Sequence, residues 1–368
     1  MKKWMIRALS ALLIAAFLPV SVLADEYDLS EGSVTVSTSK GADGSTQQDV
    51  SHKGTTKPDS NPTITSKGQQ TGNTVIINAG AGTTANVTIK DANISASSGK
   101  AAIKTGGEGN VNLNVEGTNT VSSGSNYAGV EKANAGNLTI GSESGSGELT
   151  ANGGEYGAGI GGGDAQSGND ITITGGDVYA EGGREGAGIG GCYRAIVDDV
   201  VISGGTINII ADDEAIYTDE ISDDDTEVIV GDIIISGGDI TLFSEEDCIN
   251  ANNKIDYEGE YVSGGNIEIS GGTLKLDAEE SGIEAENNTK ITGGNIEIEA
   301  DLFEEGHPAF NVSGELTLGE KVEIFKPKNA KISTEVYELY EREVQTIVDR
   351  NGMIATEVEI KTKKSDSG

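Results

Sequence analysis

"IEISGGTLKLDAEESGIEA", residues 267–285, decides the fold. Apolar side chains alternate at Ile267 and Ile269, and again at Leu274 and Leu276, with Gly271-Gly272 between the two runs. A period of two belongs to half-buried strands; an amphipathic helix would repeat every 3.6 residues. The Gly pair suits a tight corner, where positive φ carries no steric penalty. After Leu276 the chain turns acidic at Asp277, Glu279 and Glu280, then returns to an apolar Ile283. Strand, corner, strand and acidic turn make one unit.

The unit recurs. Alternation followed by Gly-Gly appears in "ITITGGDVYAEGG" (from 171), "VVISGGTINIIAD" (from 200), "IIISGGDITLFSE" (from 233) and "KITGGNIEIEADL" (from 290). The first Gly of each pair falls at 175, 204, 237, 271 and 293, so successive spacings are 29, 33, 34 and 22 residues. A period of that size marks a stacked repeat and is read before any local element. Two further columns extend the register to eight coils. Small residues recur at Ala96, Ser122, Ala151, Ala180, Ala211, Ser244, Ala278 and Ala300; apolar ones recur at Ile103, Val130, Ile160, Ile189, Ile216, Ile249, Ile283 and Phe310. Each coil then supplies short strands whose alternate side chains point inward, like stacking on like every ~4.8 Å. The expected class is all-β, a parallel β-helix. Cys248 takes an Ala or Gly place in the column before the apolar one, so it reads as a small core thiol. Cys192 lies two coils earlier in another column, and two coil spacings exceed a disulfide's Cα separation, so both thiols are expected to be free.

The first 24 residues, with Lys2, Lys3 and Arg7 ahead of an apolar run and small Val22 and Ala24 at its end, have the form of a secretory leader. Removing those three basic residues takes the formal net charge from −35 to −38. A field of that sign repels phosphate backbones, which argues against a nucleic-acid partner. With the leader gone no membrane segment is expected, and the protein is placed outside the cell or on its surface. The acid is also concentrated: residues 198–310 hold 30 of the 60 Asp and Glu against only Lys254, Lys275 and Lys290.

Three segments, "GSNYAGV" (124–130), "TANGGEYGAGIGGGDAQSGNDITITGGDVYAEGGREGAGIGG" (150–191) and "TIVDRNGMIATEVEI" (346–360), resemble exported bacterial carbohydrate-binding β-helix proteins common on Gram-positive anaerobes. The coils "SGGTINIIADDEAI" and "SGGTLKLDAEESGI" are similar to the calcium-carrying, polysaccharide-binding members of that group. The resemblance implies a pectate-lyase-like, right-handed parallel β-helix that binds polysaccharide without cleaving it. One departure stands out. Where such proteins carry Asp-Asp-Gly before the inward Ile, this chain has Asp212-Asp213-Glu214-Ala215, Glu245-Glu246-Asp247-Cys248 and Glu279-Glu280-Ser281-Gly282. Carboxylate persists while its reach varies, so ion positions transfer only loosely.

In the columns, Asp212 stacks on Glu245, Glu279 and Asp301, Asp213 on Glu246 and Glu280, and Asp219 on Asn252 and Glu286. With Asp247, these oxygen donors form the candidate metal set: Asp212, Asp213, Asp219, Glu245, Glu246, Asp247, Asn252, Glu279, Glu280 and Glu286. Two carboxylates ~5 Å apart repel by ~3 kcal/mol at an effective dielectric of 20. Ca2+ removes that cost and takes six to eight oxygens in flexible geometry. Zinc does not fit, because His52 and His307 are the only histidines and neither has a spaced partner. The alternative is a solvated acidic face whose Glu side chains splay into water, and the residues alone leave both readings open. Tyr217, beside the inward Ile216, is a candidate platform for a sugar ring, with Glu214 and Glu284 as candidate ligand contacts.

No catalytic constellation emerges. A β-helix lyase needs a base, and Arg184, Arg194 and Lys254 are available without a motif around any of them. A hydrolase needs two carboxylates at a defined separation, which an excess of acids does not single out. The leading expectation is a secreted, non-catalytic protein that binds acidic or plant cell-wall polysaccharide through calcium. A calcium-dependent polysaccharide lyase and a surface spacer without sugar specificity are the alternatives. Oligomeric state is not encoded in any feature above. The expected organisation is a leader (1–24), an irregular coil or flexible arm (25–72), the solenoid (73–319, acidic coils 198–310) and a C-terminal β cap with tail (320–368). Asn351-Gly352 signals a hairpin between "VQTIVD" and "MIATEVEI", and "EVYELYERE" reads as one helical turn.

Overall fold

The computed structural model describes residues 25–164, 170–192, 198–218, 231–251, 264–300, 307–337 and 342–363. It is a parallel β-helix built from three long sheets. Sheet A contains eleven strands, all parallel, beginning at Glu26–Asp28 and ending at Leu316–Leu318. Sheets B and C contain fourteen and eleven strands, with antiparallel strands confined to their ends. Among the described residues there is no helix long and apolar enough to cross a membrane.

The alternation read from the sequence is what fills the interior. In sheet A, Ile171 and Ile173 pair with Val200 and Ile202, then with Ile233 and Ile235, then with Ile267 and Ile269, and all are buried. In sheet B the apolar column runs in register without a slip, Ile103↔Val130↔Ile160↔Ile189↔Ile216↔Ile249↔Ile283↔Phe310. Each fully buried Ile contributes about 1.5–3 kcal/mol, so the core is a sum of modest, repeated terms. The second Gly of each pair turns the corner from sheet A to sheet C, with φ of +91° to +99° at Gly176, Gly205, Gly238, Gly272 and Gly294.

The column of small residues is in register only in part. Ala211, Ser244, Ala278 and Ala300 pair as expected, but Ala180 pairs with Ile209, and Ala151 pairs with Val121. Ala180 is the fourth residue of Asp177–Glu181, whereas Ala211 is the sixth of Thr206–Ala211, so from this coil onward the small residue stands two positions further along the ladder.

Sequence reasoning did not find a second ladder, at the corner leading into sheet A. Asn or Asp stands immediately before six successive strands, at Asn137, Asp170, Asp199, Asp232, Asn266 and Asn288. Along it, Asp199 Oδ1 accepts from Asp232 N (2.8 Å), Asp232 Oδ1 from Asn266 N (2.8 Å) and Asn288 Oδ1 from Glu315 N (2.9 Å). Burial raises the Asp199 carboxyl to about 6, with Asp232, Asp170 and Asp198 adding to the shift. Buried Lys132 donates its Nζ to the Asn134 carbonyl, and desolvation lowers it to about 8 against the opposing pull of Asp170 and Asp198.

Both ends are closed by strands. Residues 25–72, expected as an irregular coil or arm, form a first coil plus a meander of Val34–Lys40, Thr46–His52 and Thr55–Pro58 on the edge of sheet B. At the other end, Lys331–Tyr337 and Arg342–Val348 pair antiparallel beyond Phe310–Val312. The helical turn expected in "EVYELYERE" is therefore absent from its described residues, which are strand. Asn351-Gly352 does make a tight turn, with Met353 N and O tied to Asp349. The strands it joins nevertheless enter different sheets, because Glu357–Thr362 crosses to pair with Asn295–Ala300 in sheet C. Cys192 and Cys248 are buried and not joined by a disulfide, as expected.

Candidate functional site

The acidic turns form the corner between sheets C and B. Sheet C strands end at Ala211, Ser244 and Ala278, and sheet B strands begin at Ile216, Ile249 and Ile283. Since the strands on both sides are in register, the intervening turns lie directly above one another. Backbone bonds link them along the axis: Glu245 N to Ala211 O (3.2 Å), Glu279 N to Ser244 O (3.1 Å) and Glu280 N to Glu246 O (3.2 Å). Ser244 holds the middle turn from within, donating Oγ to Asp213 O (2.5 Å) and accepting from Glu246 N (3.1 Å).

The predicted carboxylates divide into an outer and an inner set. Asp212, Glu245, Glu246 and Glu279 are exposed, and Asp213 and Glu280 are half-buried. Asp213, Glu214 and Glu246 each bring a carboxylate oxygen within 4.8 Å of the other two. The inner set is the less expected finding. Asp247, Glu214 and Glu284 are 4%, 8% and 7% exposed, so three acids lie under the surface of one corner. Burial holds the Asp247 carboxyl well above the ordinary carboxylate range, and Glu284, Glu280 and Glu214 push it further in the same direction.

Two asparagines bond to these acids. Asn250 Nδ2 donates to Asp247 Oδ2 at 2.8 Å and reaches Glu214 Oε1 at 3.5 Å. Asn311 Nδ2 donates to Glu284 Oε2 at 2.6 Å. Asp247 Oδ1 accepts from Ser281 N at 2.7 Å, while the fully buried Ser281 Oγ has no hydrogen-bond partner among the described residues. The geometry follows from sheet B pairing, Tyr217↔Asn250↔Glu284↔Asn311, a column one residue past the inward Ile. That column was legible, since an oxygen- or amide-bearing residue follows Ile249, Ile283 and Phe310 in turn.

The remaining candidates are placed as follows. Glu286 stands apart from the inner set, accepting from Ser313 Oγ at 3.0 Å. Tyr217 is only 8% exposed, so its ring is not offered as an open platform, and Glu214 and Glu284 are equally covered. Asp219, Asn252 and Asp301 lie outside the described residues, as do Arg194 and Lys254. Arg184 is an exposed residue 3.7 Å from Glu185.

Every donor gathered at this corner is oxygen, the set a hard cation such as calcium takes. The unpartnered Ser281 Oγ beside a buried carboxylate fits the same chemistry, because a buried hydroxyl without a partner is a costly exception. Asp213, Glu214 and Glu246 are the residues whose oxygens converge enough to hold such an ion, with Asp247 beside them through the Asn250 amide.

A family model described as carbohydrate-binding domain-containing protein matches residues 58–263 and 257–334, about three-quarters of the 368 residues. No curated protein and no solved structure gives a significant match. The matched span takes in the first Gly-Gly coils, the acidic corner and the start of the C-terminal cap, and the chain belongs to this carbohydrate-binding domain family.

Proposed function

We propose that this is an exported, non-catalytic protein that binds acidic polysaccharide through calcium held at the corner between sheets C and B. The observation that carries the reading is the inner acid set: Asp247, Glu214 and Glu284 are buried at one corner, with the Asn250 amide bridging Asp247 and Glu214 and the Asn311 amide donating to Glu284. Buried carboxylates cost several kcal/mol each unless paired, and a divalent ion bound by them and by Asp213 and Glu246 offsets that cost. Calcium supplies positive charge at a corner of a strongly negative protein. Its open coordination positions would accept the carboxylate of a uronate, which the bare surface repels. The family supports the coarser part, carbohydrate binding.

The test is direct. Purified protein is assayed for bound metal after gel filtration, then applied to immobilised polygalacturonate in calcium and in EDTA. Stoichiometric calcium with retention only in calcium is expected. Retention in neither condition would leave a surface spacer, and a rise in unsaturated-product absorbance would replace binding by lyase chemistry.

A further inference from the structure

The outward face of sheet C adjoins the acidic corner, with Ile210 and Phe243 two residues before Asp212 and Glu245, and it has a composition of its own. Along one outward column the register runs Glu181↔Ile210↔Phe243↔Asp277↔Glu299. Ile210 and Phe243 are neighbours on adjacent strands and are 42% and 41% exposed, among the few large apolar side chains open to solvent. Tyr179 sits on the strand before Ile210, in the next outward column, where it pairs with Asn208 and Asn208 with Thr241. A strip of one tyrosine, one isoleucine and one phenylalanine thus crosses three successive coils at ~4.8 Å steps, bordered by amide and hydroxyl groups.

We infer that this strip is a second carbohydrate site, one that takes a neutral glycan chain by ring stacking and needs no metal. The inference rests on the carbohydrate-binding reading of the chain. Pyranose rings have an apolar face that packs on Phe, Tyr and aliphatic surface, and hydroxyls around the rim that bond to amides and carboxylates. Charge selects the occupant. Across the outward positions from Asp177 to Glu299 there are six acids, Asp177, Glu181, Asp239, Asp277, Glu297 and Glu299, against the single base Lys275. A uronate chain would meet like charge on both sides of the strip, and so would a second copy of this chain packing face to face. A neutral, hydroxyl-rich polymer meets acceptors for its O–H groups instead. Its chain can run along the solenoid axis, where each coil offers the next sugar a fresh contact.

The experiment is affinity electrophoresis of the intact protein in native gels. The gels contain hydroxyethylcellulose, xyloglucan or galactomannan, each with and without EDTA, and polygalacturonate with calcium in parallel. At least one neutral polymer is expected to retard the wild type equally in both buffers. The double variant Ile210→Thr/Phe243→Ala changes only outward side chains, and its melting curve checks the fold. It is expected to weaken that retardation at least ~10-fold, the scale for losing a stacking surface, while polygalacturonate retention is unchanged. The inference is overturned if none of the three neutral polymers retards the wild type, or if the folded double variant is retarded as strongly. It is equally overturned if the strip proves to be an interface between copies, seen as a concentration-dependent dimer in sedimentation that the double variant abolishes. Retardation by polygalacturonate alone would sink this inference and leave the calcium reading standing. Retardation by a neutral polymer alone would do the reverse.

Discussion

Replacing Asp247 by Asn should change sign with calcium. Asp247 Oδ2 and Glu214 Oε1 share the Asn250 amide at 2.8 and 3.5 Å, so these oxygens are no more than about 6 Å apart. At that separation and an effective dielectric of 20, two full charges would repel by about 3 kcal/mol, an upper limit because the raised Asp247 carboxyl relieves part of it by taking up a proton. Without metal, Asp247→Asn removes that repulsion and keeps an oxygen to accept from Ser281 N, so in EDTA the variant should melt higher than the wild type. With calcium at a thousand times its dissociation constant, the wild type gains about 4 kcal/mol by linkage, and the variant, missing a ligand, gains little. Unfolding entropy of about 2.1 cal/mol/K per residue over 368 residues converts 4 kcal/mol to a shift of about 5 °C. The curves should therefore cross: variant above wild type in EDTA, wild type above variant in millimolar calcium. The pH dependence gives an independent check. Asp247 is raised in the folded state, so the fold binds its proton more readily than the unfolded chain, and in EDTA the wild type should stabilise as pH falls from 7 toward 5. The variant should lack that gain. Scanning calorimetry in both buffers at both pH values measures all of this. A wild type that melts identically in EDTA and calcium, or a variant destabilised equally in both, would refute the reasoning.

Three further outcomes follow from the fold. Asp199→Asn should stabilise the protein at pH 7, because the wild-type carboxyl, raised to about 6, is favoured when protonated and loses that stability as pH rises from about 4 to 6. The gain is at most about 3 kcal/mol and smaller after solvent screening, and a flattened stability profile between pH 4 and 6 is the signature to look for in urea titrations. Gly272→Ala should destabilise by more than about 1 kcal/mol, since φ is +91° and the new Cβ would sit 2.9 Å from Gly238 O; a lower melting temperature checks it. Both thiols should resist an aromatic disulfide reagent in the native state and react in urea, as Cys248 is fully buried with its thiol pushed up by desolvation.

Much of the architecture was legible because a solenoid writes its contacts as a period. The column from Ile103 to Phe310 needed only spacing and apolar identity, and sheet B pairs it residue for residue. The slip in the small column was hidden because Ala suits two adjacent inward positions equally well, so composition could not reveal that Ala180 opposes Ile209. The C-terminal turn shows a different limit. Asn351-Gly352 specifies a reversal, but which strand edge Glu357–Thr362 finds is decided by the open end of sheet C. The Asn and Asp ladder before sheet A was written in the sequence as plainly as the Ile column. Its meaning depends on each side chain reaching the backbone of the next coil, which becomes visible only with the coils stacked.

The candidate site divides along the same line. Stacking of Asp212 on Glu245 and Glu279 follows from counting residues, but counting treats every acid in a turn alike. Burial separates them: Glu245 and Glu246 face solvent, whereas Asp247, one residue on, begins the approach to the inward Ile249 and is carried beneath the surface. The next buried acid, Glu284, lies one coil away and one column over, beside Asn250 and Asn311. Charge density in the sequence therefore marked the right corner of the right coils, while burial singles out Glu214 and Asp247 at the inner ends of two acidic runs and Glu284 in the strand after a third. Strand alternation turns Ile210 and Phe243 outward on sheet C. The two proposed modes of sugar recognition therefore rest on different parts of one coil, the turn that buries carboxylates and the adjoining sheet face on which the two-residue period exposes Ile210 and Phe243.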